Sequence, residues 1–310
     1  MQKIIHYFYD NVDIWKKGTS STFRMCFKSW LQKCPDYKIM LWHDKMPEFQ
    51  DMLRQSRFLR ECYKRKMWAF VADYVRYYAL YNYGGIYLDT DAELLQNFDN
   101  YLDKPFFCSI EGDILYGENI PEPAVMGGDA GHIIFKEVLD LYNSEDIFKI
   151  DNFIANIVLQ KALHRNTDFY RIKYSEEFTE KAEKYYDVNE GIKIIDNIDV
   201  YKNQKIYIDR TLGIYIYPSE YFCPSWESFG IDAFTEKTVA IHWNQSSWWK
   251  HNDSNEIRQI MALRYSNKLK RFLYTHSKLI GKVLTYPIFI KKQRKKLRIK
   301  LTDMLNNIKV

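Results

Sequence analysis

Short apolar runs alternate with helical stretches along residues 1–250. Residues 3–9 are mostly apolar, with β-branched and aromatic side chains that are typical of a short buried strand, and Tyr37–Trp42 predicts a second strand. Between them, apolar side chains recur at helical spacing over Phe23–Lys33, and the period from Phe49 to Tyr81 predicts at least two helices. Strands that alternate with helices form an open, mainly parallel sheet. The pattern therefore predicts an α/β fold.

The pattern continues less regularly after the turn signal Asn82-Tyr83-Gly84-Gly85. A helix is predicted over His132–Tyr142, whereas residues 143–200 show no clear organisation. From about residue 255 the chain has the pattern of a basic helix, interrupted by Pro287. We therefore predict a domain over 1–254 and a basic helical extension over 255–310. Further strands are predicted at Ile86–Leu88, Phe106–Ile110, Ala124–Met126, Ile214–Tyr217 and Val239–Trp243.

Composition excludes several classes of protein. Hydrophobic residues make up 46% and charged residues 27% of the chain, which excludes disorder as its main state. The five cysteines are an odd number without CxxC spacing, which favours reduced thiols in a cytosolic protein over a disulfide scaffold or a zinc site. We also find no signal peptide and no apolar run that could span a membrane. The predicted location is therefore cytoplasmic.

Charge is distributed unevenly. Residues 255–310 contain fifteen basic and two acidic residues, whereas the rest of the chain has 30 basic and 38 acidic ones. In 277–310, apolar residues are interleaved with basic ones, which is typical of an amphipathic helix on anionic lipid. A solvated charged helix is the alternative, and we expect no nucleic acid partner because no recognition motif accompanies the charge. The tail thus predicts peripheral binding at the inner face of the cell membrane.

Two carboxylates follow the predicted strand that ends at Leu88. Asp89 and Asp91 are two residues apart, and on an extended segment such residues point to the same side. A pair of carboxylates at a strand end suits a hard divalent cation, Mn²⁺ or Mg²⁺. A D-x-D sequence alone is also common as a pair of solvated acids. The preceding Gly84-Gly85 turn, which delivers a buried strand, favours the metal site.

An acid and a base precede this segment on the predicted helix. Asp73 and Arg76 are three residues apart, so they share a helix face. Alone they are an intrahelical ion pair, but next to the acidic strand end they become candidate ligand-binding residues.

The ordered motifs resemble glycosyltransferase family thirty-two, whose members carry a DXD sugar-binding region, and more distantly the glucosylating domains of large clostridial toxins. The resemblance covers most of residues 3–250. It implies a GT-A fold and transfer of a hexose from a nucleoside diphosphate sugar with retention of configuration. The motifs are KIIHYFY (3–9), FKSWLQKCPDYKIMLW (27–42), FVADYVRYYALYNYGGIYLDTDAE (70–93), IYIYPSEYFCP (214–224) and IHWNQSSWW (241–249).

The resemblance also implies roles for individual residues. Asp89 and Asp91 would bind the metal and, through it, the diphosphate, while Asp73 and Arg76 would contact sugar or ribose hydroxyls. The end of the first strand would lie near the base, which adds Tyr7, Phe8 and Tyr9 to the donor site.

The last motif, IHWNQSSWW, contributes the remaining site residues that the resemblance implies. His242 or Asn244 would complete the metal shell. Ser247 and Trp248 would approach the diphosphate or the leaving oxygen and, with Asp91, form the catalytic set. Ser hydroxyl and Trp indole N–H groups are hydrogen-bond donors, which suits charge that develops on a leaving phosphate.

Two positions depart from the pattern of the family. Relatives often carry an Asn just before the apolar segment that matches Ala124–Gly127, whereas Pro121-Glu122-Pro123 stands here. Asp10-Asn11 replace the Gly-Gly that often follows the first strand. The residue that faces the anomeric centre is therefore open. Of the other histidines, we expect His6 to be a core residue and His132 to cap a helix.

Three hypotheses follow. The first is a retaining, Mn²⁺- or Mg²⁺-dependent hexosyltransferase that uses a nucleoside diphosphate sugar, UDP-linked by resemblance, and a saccharide acceptor, lipid-linked, in bacterial capsule or O-antigen synthesis. The second is a toxin-like enzyme that glycosylates protein hydroxyls. The third is a non-catalytic nucleotide- or carbohydrate-binding protein, which predicts no metal-dependent turnover of the donor.

Overall fold

The structure is a computed structural model that describes residues 1–10, 12–111, 120–149, 154–167, 206–225 and 230–243. The predictions for Asn244, Ser247 and Trp248 fall outside these ranges. So do the predicted domain boundary at 254 and the basic extension, including the membrane-binding segment 277–310.

A central seven-stranded sheet organises the described part of the chain, in the order β2-β1-β3-β6-β5-β8-β7. Its pairings make five of the seven strands run in the same direction, with β6 and β7 opposed. A second, two-stranded sheet pairs β4 with β9. The strands are β1 (Ile4–Phe8), β2 (Lys38–Trp42), β3 (Gly85–Leu88), β4 (Ala92–Leu94), β5 (Phe106–Ile110), β6 (Pro121–Gly128), β7 (Tyr207–Asp209), β8 (Ile214–Tyr217) and β9 (Ala240–His242).

Helices cover both faces of the large sheet, as its buried strands require. The predicted α/β class with a mostly parallel sheet is therefore confirmed, and the arrangement is consistent with a GT-A fold. The helices are α1 (Ser21–Lys33), α2 (Pro47–Gln55), α3 (Arg57–Lys64), α4 (Trp68–Tyr83), α5 (Ile133–Asn143), α6 (Ala155–Asn166) and the short α7 (Ser219–Phe222), with 3₁₀ turns at Asp99–Tyr101, Glu145–Lys149 and Gly230–Ala233.

The core has one cluster on each face of the sheet, and β1 contributes to both because its side chains alternate. Ile5 and Tyr7 pack under α1, whereas Phe8 faces the cluster around α2, α3 and α4. Helix α4 is buried on most of its circumference, which explains why its sequence is apolar almost throughout. The functional end of β3 is thus held between two packed layers.

Most predicted elements are present, with differences at their ends and in number. The helical stretch Phe49–Tyr81 contains three helices. Ser56 separates α2 from α3 and caps α3 by accepting the Leu59 N–H at 3.2 Å, and a second break at Lys66, whose φ is +57°, separates α3 from α4. Helix α6 lies in the stretch that showed no clear organisation. Strands β4 and β7 were missed, since three residues are too few to show an alternating pattern. The equally short β9 was predicted because it lies in the mostly apolar run Val239–Trp243.

The glycine pair makes the sharp connection from α4 into β3. Gly84 and Gly85 have φ angles of +63° and +95°, which favour glycine. A Cβ on Gly85 would stand 2.7 Å from the Ile4 carbonyl oxygen of the neighbouring strand β1. Only glycine therefore lets β3 begin this close to β1 and enter the sheet directly from the helix.

Candidate active site

Asp89 and Asp91 lie on a tight turn between β3 and β4. The Asp89 N–H donates to the Ala124 carbonyl at 2.8 Å, which extends the pairing of β3 with β6. The Ala92 N–H then donates back to the Asp89 carbonyl at 2.9 Å and closes the turn. The expectation that the two acids stand on an extended segment was therefore wrong. A turn, not strand alternation, sets the direction of both carboxylates.

The small sheet brings His242 to this turn. Strand β9 pairs antiparallel with β4 so that His242 is opposite Ala92, and the Trp243 N–H donates to the Asp91 carbonyl at 3.1 Å. The His242 Nε2 atom consequently lies 3.4 Å from the Asp91 carboxylate. Residues about 150 positions apart in sequence thus share one site.

The three side chains fit a divalent cation. Asp89, Asp91 and His242 each offer one ligand atom, and these atoms all lie within 4.8 Å of one another. Two carboxylate oxygens and one imidazole nitrogen suit Mn²⁺ and also accommodate Mg²⁺. The donor set therefore fits the kind of metal that a DXD region implies.

Arg76 is the buried counter-charge of the turn that carries Asp89 and Asp91, which we call the acidic turn. It is 3% exposed, and its Nη2 atom donates to Asp89 Oδ1 at 2.7 Å. The same atom lies 3.6 Å from Asp73 Oδ1, and the guanidinium stands 4.9 Å from the Tyr87 ring centroid. The predicted pair of Asp73 and Arg76 is present, but the shorter bond of Arg76 goes to Asp89. Arg76 thus fixes one oxygen of a metal-ligand candidate.

The pKa values of this cluster are strongly shifted. Burial raises the pKa of Asp73 to about 7 against the opposing charge of Arg76, and burial likewise raises the pKa of Asp89. For His242, burial acts to lower the pKa, but Asp91, Cys223 and Glu122 outweigh it and raise the pKa well above its usual range. Without a metal, a proton on His242 balances the carboxylates. A cation bound to the three groups would displace that proton.

Glu122 is a site residue that the sequence did not reveal. It lies on β6 at the departure from the family pattern and is 6% exposed, with Oε1 3.9 Å from His242 Nδ1. The Ala124 N–H donates to Oε1 at 2.8 Å, and the Asn156 amide donates to Oε2 at 3.1 Å. Glu122, Cys223 and His242 form a second set of grouped ligand atoms. A charged residue between two prolines in an otherwise apolar strand was the available signal.

Glu93, two residues after Asp91, and Trp243, directly after His242, border the site. The Trp243 Nε1–H donates to Glu93 Oε2 at 2.9 Å, and the Trp30 indole of α1 donates to the Ala92 carbonyl at 2.7 Å. Helix α1 therefore holds β4, and with it the acidic turn, in place.

The three donor-site residues at the end of β1 are placed differently from one another. Tyr7 and Phe8 are 4% and 5% exposed and point into opposite core clusters, so their rings are not available to a ligand. Tyr9 is half-buried, and its ring packs 4.8 Å from that of Phe23. Because β1 and β3 are parallel neighbours, all three residues still lie at the sheet edge that carries the acidic turn.

Both histidines assigned structural roles behave as expected. His6 is fully buried, with Nδ1 accepting the Trp42 indole N–H at 3.1 Å and Nε2 donating to the Gly84 carbonyl at 2.9 Å. His132 is the N-cap of α5 and accepts the Ile134 N–H. None of the described helices has the length and hydropathy of a membrane span.

Comparison with known proteins agrees with this geometry. Residues 20–107 match the glycosyltransferase sugar-binding region containing the DXD motif. The match includes Asp73, Arg76, Asp89 and Asp91. The predicted relationship to glycosyltransferases is confirmed for this region.

Two curated proteins of Saccharomyces cerevisiae are similar over 121 residues. They are the mannosyl phosphorylinositol ceramide synthases SUR1, with 33% identity, and CSH1, with 34% identity. The similarity covers 34% of this chain and only 26% and 27% of the yeast proteins. The chain thus matches about a quarter of the length of these relatives.

Solved glycosyltransferase structures are similar at low sequence identity. PaToxG glycosyltransferase has 16% identity and a TM-score of 0.42, covering 59% of this chain and 74% of that one. A glycosyltransferase involved in glycosylation of the major capsid of PBCV-1 has 11% identity and a TM-score of 0.39, covering 82% and 98%. With TM-scores under 0.5, neither likeness bears on function.

Proposed function

We propose that this protein is a metal-dependent, retaining glycosyltransferase of family thirty-two that moves a hexose from a nucleoside diphosphate sugar, UDP-linked, to a saccharide acceptor. The observation that carries the proposal is the convergence of Asp89, Asp91 and His242, within the DXD region and β9, beside the buried Arg76. In open α/β sheets ligands bind beyond the carboxyl ends of the strands, where this cluster lies, and clustered groups with shifted pKa values are candidates for functional sites.

Each residue of the cluster has a distinct task in this proposal. Asp89, Asp91 and His242 would hold the cation, and Arg76 would orient the Asp89 carboxylate through its 2.7 Å hydrogen bond. When bound, Mn²⁺ or Mg²⁺ neutralises the charge that builds on the departing diphosphate. Asp73, with its pKa raised to about 7, both donates and accepts hydrogen bonds with sugar hydroxyls near neutral pH.

The leaving oxygen needs hydrogen-bond donors as well as charge neutralisation. We assign this task to the Ser247 hydroxyl and the Trp248 indole N–H, four and five residues past Trp243, with Asn244 as an additional metal ligand. Trp243 is held against Asp91 by its backbone N–H, which supports the assignment because the chain leaves β9 at the metal site.

We further propose a lipid-linked acceptor at the inner face of a bacterial membrane, in surface polysaccharide synthesis. Two yeast relatives are named for a mannosylated ceramide lipid, which supports a lipid-bearing acceptor. The basic segment 277–310 would bind the anionic membrane surface.

The test combines turnover with metal binding. The purified protein is given a panel of UDP- and GDP-sugars with Mn²⁺ or with EDTA, and nucleotide release is measured. We expect metal-dependent release from one sugar. Asp89→Asn and Asp91→Asn should lower release by at least about a hundredfold, and electron paramagnetic resonance should show weaker Mn²⁺ binding in both variants.

The control variant is Asp103→Asn, because the Asp103 side chain is 72% exposed and forms an ion pair with its neighbour Lys104. It should behave as the wild type in both assays. Normal turnover and normal Mn²⁺ affinity in both site variants would refute the assignment. Mn²⁺-dependent UDP binding without turnover of any donor, even with acceptor present, would favour a non-catalytic binding protein.

A further inference from the structure

The outer side of α1 and the loop before it expose an unusual amount of apolar surface. Among the described residues, six large hydrophobic side chains are strongly exposed, and four of them lie between residues 12 and 31. Single exposed apolar residues are ordinary, but a concentration in one segment marks an interaction surface. The four are Val12, Trp15, Met25 and Leu31, which are 53%, 53%, 41% and 50% exposed.

Trp15 is held outward by an ordered loop. Its N–H donates to Asp13 Oδ1 at 2.9 Å, and Arg24 Nη2 donates to the carbonyls of Trp15 at 3.2 Å and Lys16 at 2.7 Å. These bonds tie the loop to α1, so the exposed ring is a fixed feature of the fold. Arg24 and Lys28 stand 6.0 and 5.8 Å from the ring centroid.

The same surface is basic. Residues 12–33 contain five basic residues and a single acid, Asp13. Asp13 accepts the Trp15 N–H and offsets one of these positive charges, so the segment keeps a clear excess of basic residues. We call the surface formed by Trp15, Lys16, Met25, Lys28 and Leu31 the α1 face.

We propose that the α1 face docks on an anionic lipid bilayer. An aromatic ring with a polar edge suits the boundary between head groups and acyl chains, and Met25 and Leu31 add apolar contact beside it. Lysine stems lie along the apolar surface while their ammonium groups reach lipid phosphates. A protein partner of matching shape would need acidic complementarity to the same residues, and the test separates the two.

The α1 face lies next to a cleft that reaches the candidate active site, so docking on a bilayer would bring the membrane close to that site. A cleft of about 510 Å³ runs from α1 to Glu93, which follows Asp91 by two residues. Met25 and Lys28 belong to both the cleft and the α1 face, and Arg24, which contacts the Trp15 ring, also lines the cleft. A bilayer on this face would present the head group of a lipid-anchored acceptor to the cleft beside the metal ligands. This use extends the proposed function, whereas docking itself is measured without any donor.

The experiment places an environment-sensitive fluorophore on the full chain. Trp15→Cys is labelled selectively because all five native thiols are buried. Vesicles of phosphatidylcholine with about a third phosphatidylglycerol should shift the emission to the blue and raise its intensity. Pure phosphatidylcholine vesicles should do neither. The matched control is Ile208→Cys, since Ile208 is 43% exposed on the edge strand β7, and its label should stay in water.

A second measurement tests the charge. The double variant Lys16→Gln and Lys28→Gln should lower the vesicle partition coefficient about 25-fold, because each basic residue near an anionic surface contributes about fivefold. Lys64→Gln, whose side chain is 68% exposed on α3, should change it less than about twofold.

Two outcomes would overturn the proposal. One is vesicle binding in which the label at position 15 stays in water, which would assign binding to another part of the chain and leave the α1 face to a protein partner. The other is no binding by the full chain. Nucleotide release by the labelled proteins without vesicles reports separately on the proposed catalytic site.

Discussion

Replacement of Arg76 with Met removes the buried counter-charge of the acidic turn while it keeps most of the side-chain volume. The Asp89 carboxylate then loses a 2.7 Å charged hydrogen bond, and Asp73 loses its nearest cation. Removal of one partner of a buried ion pair costs about 3–5 kcal/mol. Because a quarter of the Asp89 side chain is exposed, we expect the lower end, about 3 kcal/mol of unfolding free energy at pH 7.

The loss should depend on pH. In the variant, the pKa values of Asp73 and Asp89 are raised above their values in the unfolded chain. The ionised carboxylates therefore destabilise the folded state, and protonation at lower pH removes this destabilisation. The stability gap between Arg76→Met and the wild type should therefore narrow as pH falls from 7 to 5. Urea unfolding at both pH values, followed by circular dichroism, measures this gap.

A double-mutant cycle with Asp89→Asn isolates the pair. In the Arg76→Met background, Asp89→Asn should lower the free energy of unfolding by about 2 kcal/mol less than it does in the wild type, because there it removes a charge that has lost Arg76 as its partner. The control is Arg54→Met, an exposed residue in an i, i+3 pair, which should change stability by less than about 0.5 kcal/mol. Additive effects, or a loss below about 1 kcal/mol for Arg76→Met, would refute the reasoning.

Two further changes test the fold. Burial lowers the pKa of His6 to about 4, so the neutral ring contributes its full stabilisation above pH 6.5, and the free energy of unfolding falls by about 3 kcal/mol as pH falls to 4. His6→Gln should flatten the curve of unfolding free energy against pH over this window. An unchanged slope would contradict the assignment of His6 as a buried neutral group. Gly85→Ala should cost about 2–3 kcal/mol through strain and a 2.7 Å contact, whereas Gly131→Ala, with positive φ but open space, should cost about 1 kcal/mol in the same urea assay.

Local sequence patterns were sufficient to predict most elements and the part of the candidate site that is close along the chain. Helical and strand periods were long enough to predict α1, β5 and β8 within a few residues. The order of Asp73, Arg76, Asp89 and Asp91 around a glycine pair was sufficient to locate the acidic turn and its helix, because these residues are close along the chain. Periodicity could not find β4 or β7, since each has only three residues, whereas the equally short β9 was predicted from the apolar run around it.

Long-range packing brings residues from distant parts of the chain to that site. His242 reaches Asp91 only through the pairing of β4 with β9, and Glu122 and Asn156 meet only where α6 packs on β6. Tyr7 and Phe8 are core residues, because β1 is covered on both faces. Pairing and burial of this kind depend on packing between segments far apart in sequence, and local patterns of polarity carry no information about that packing.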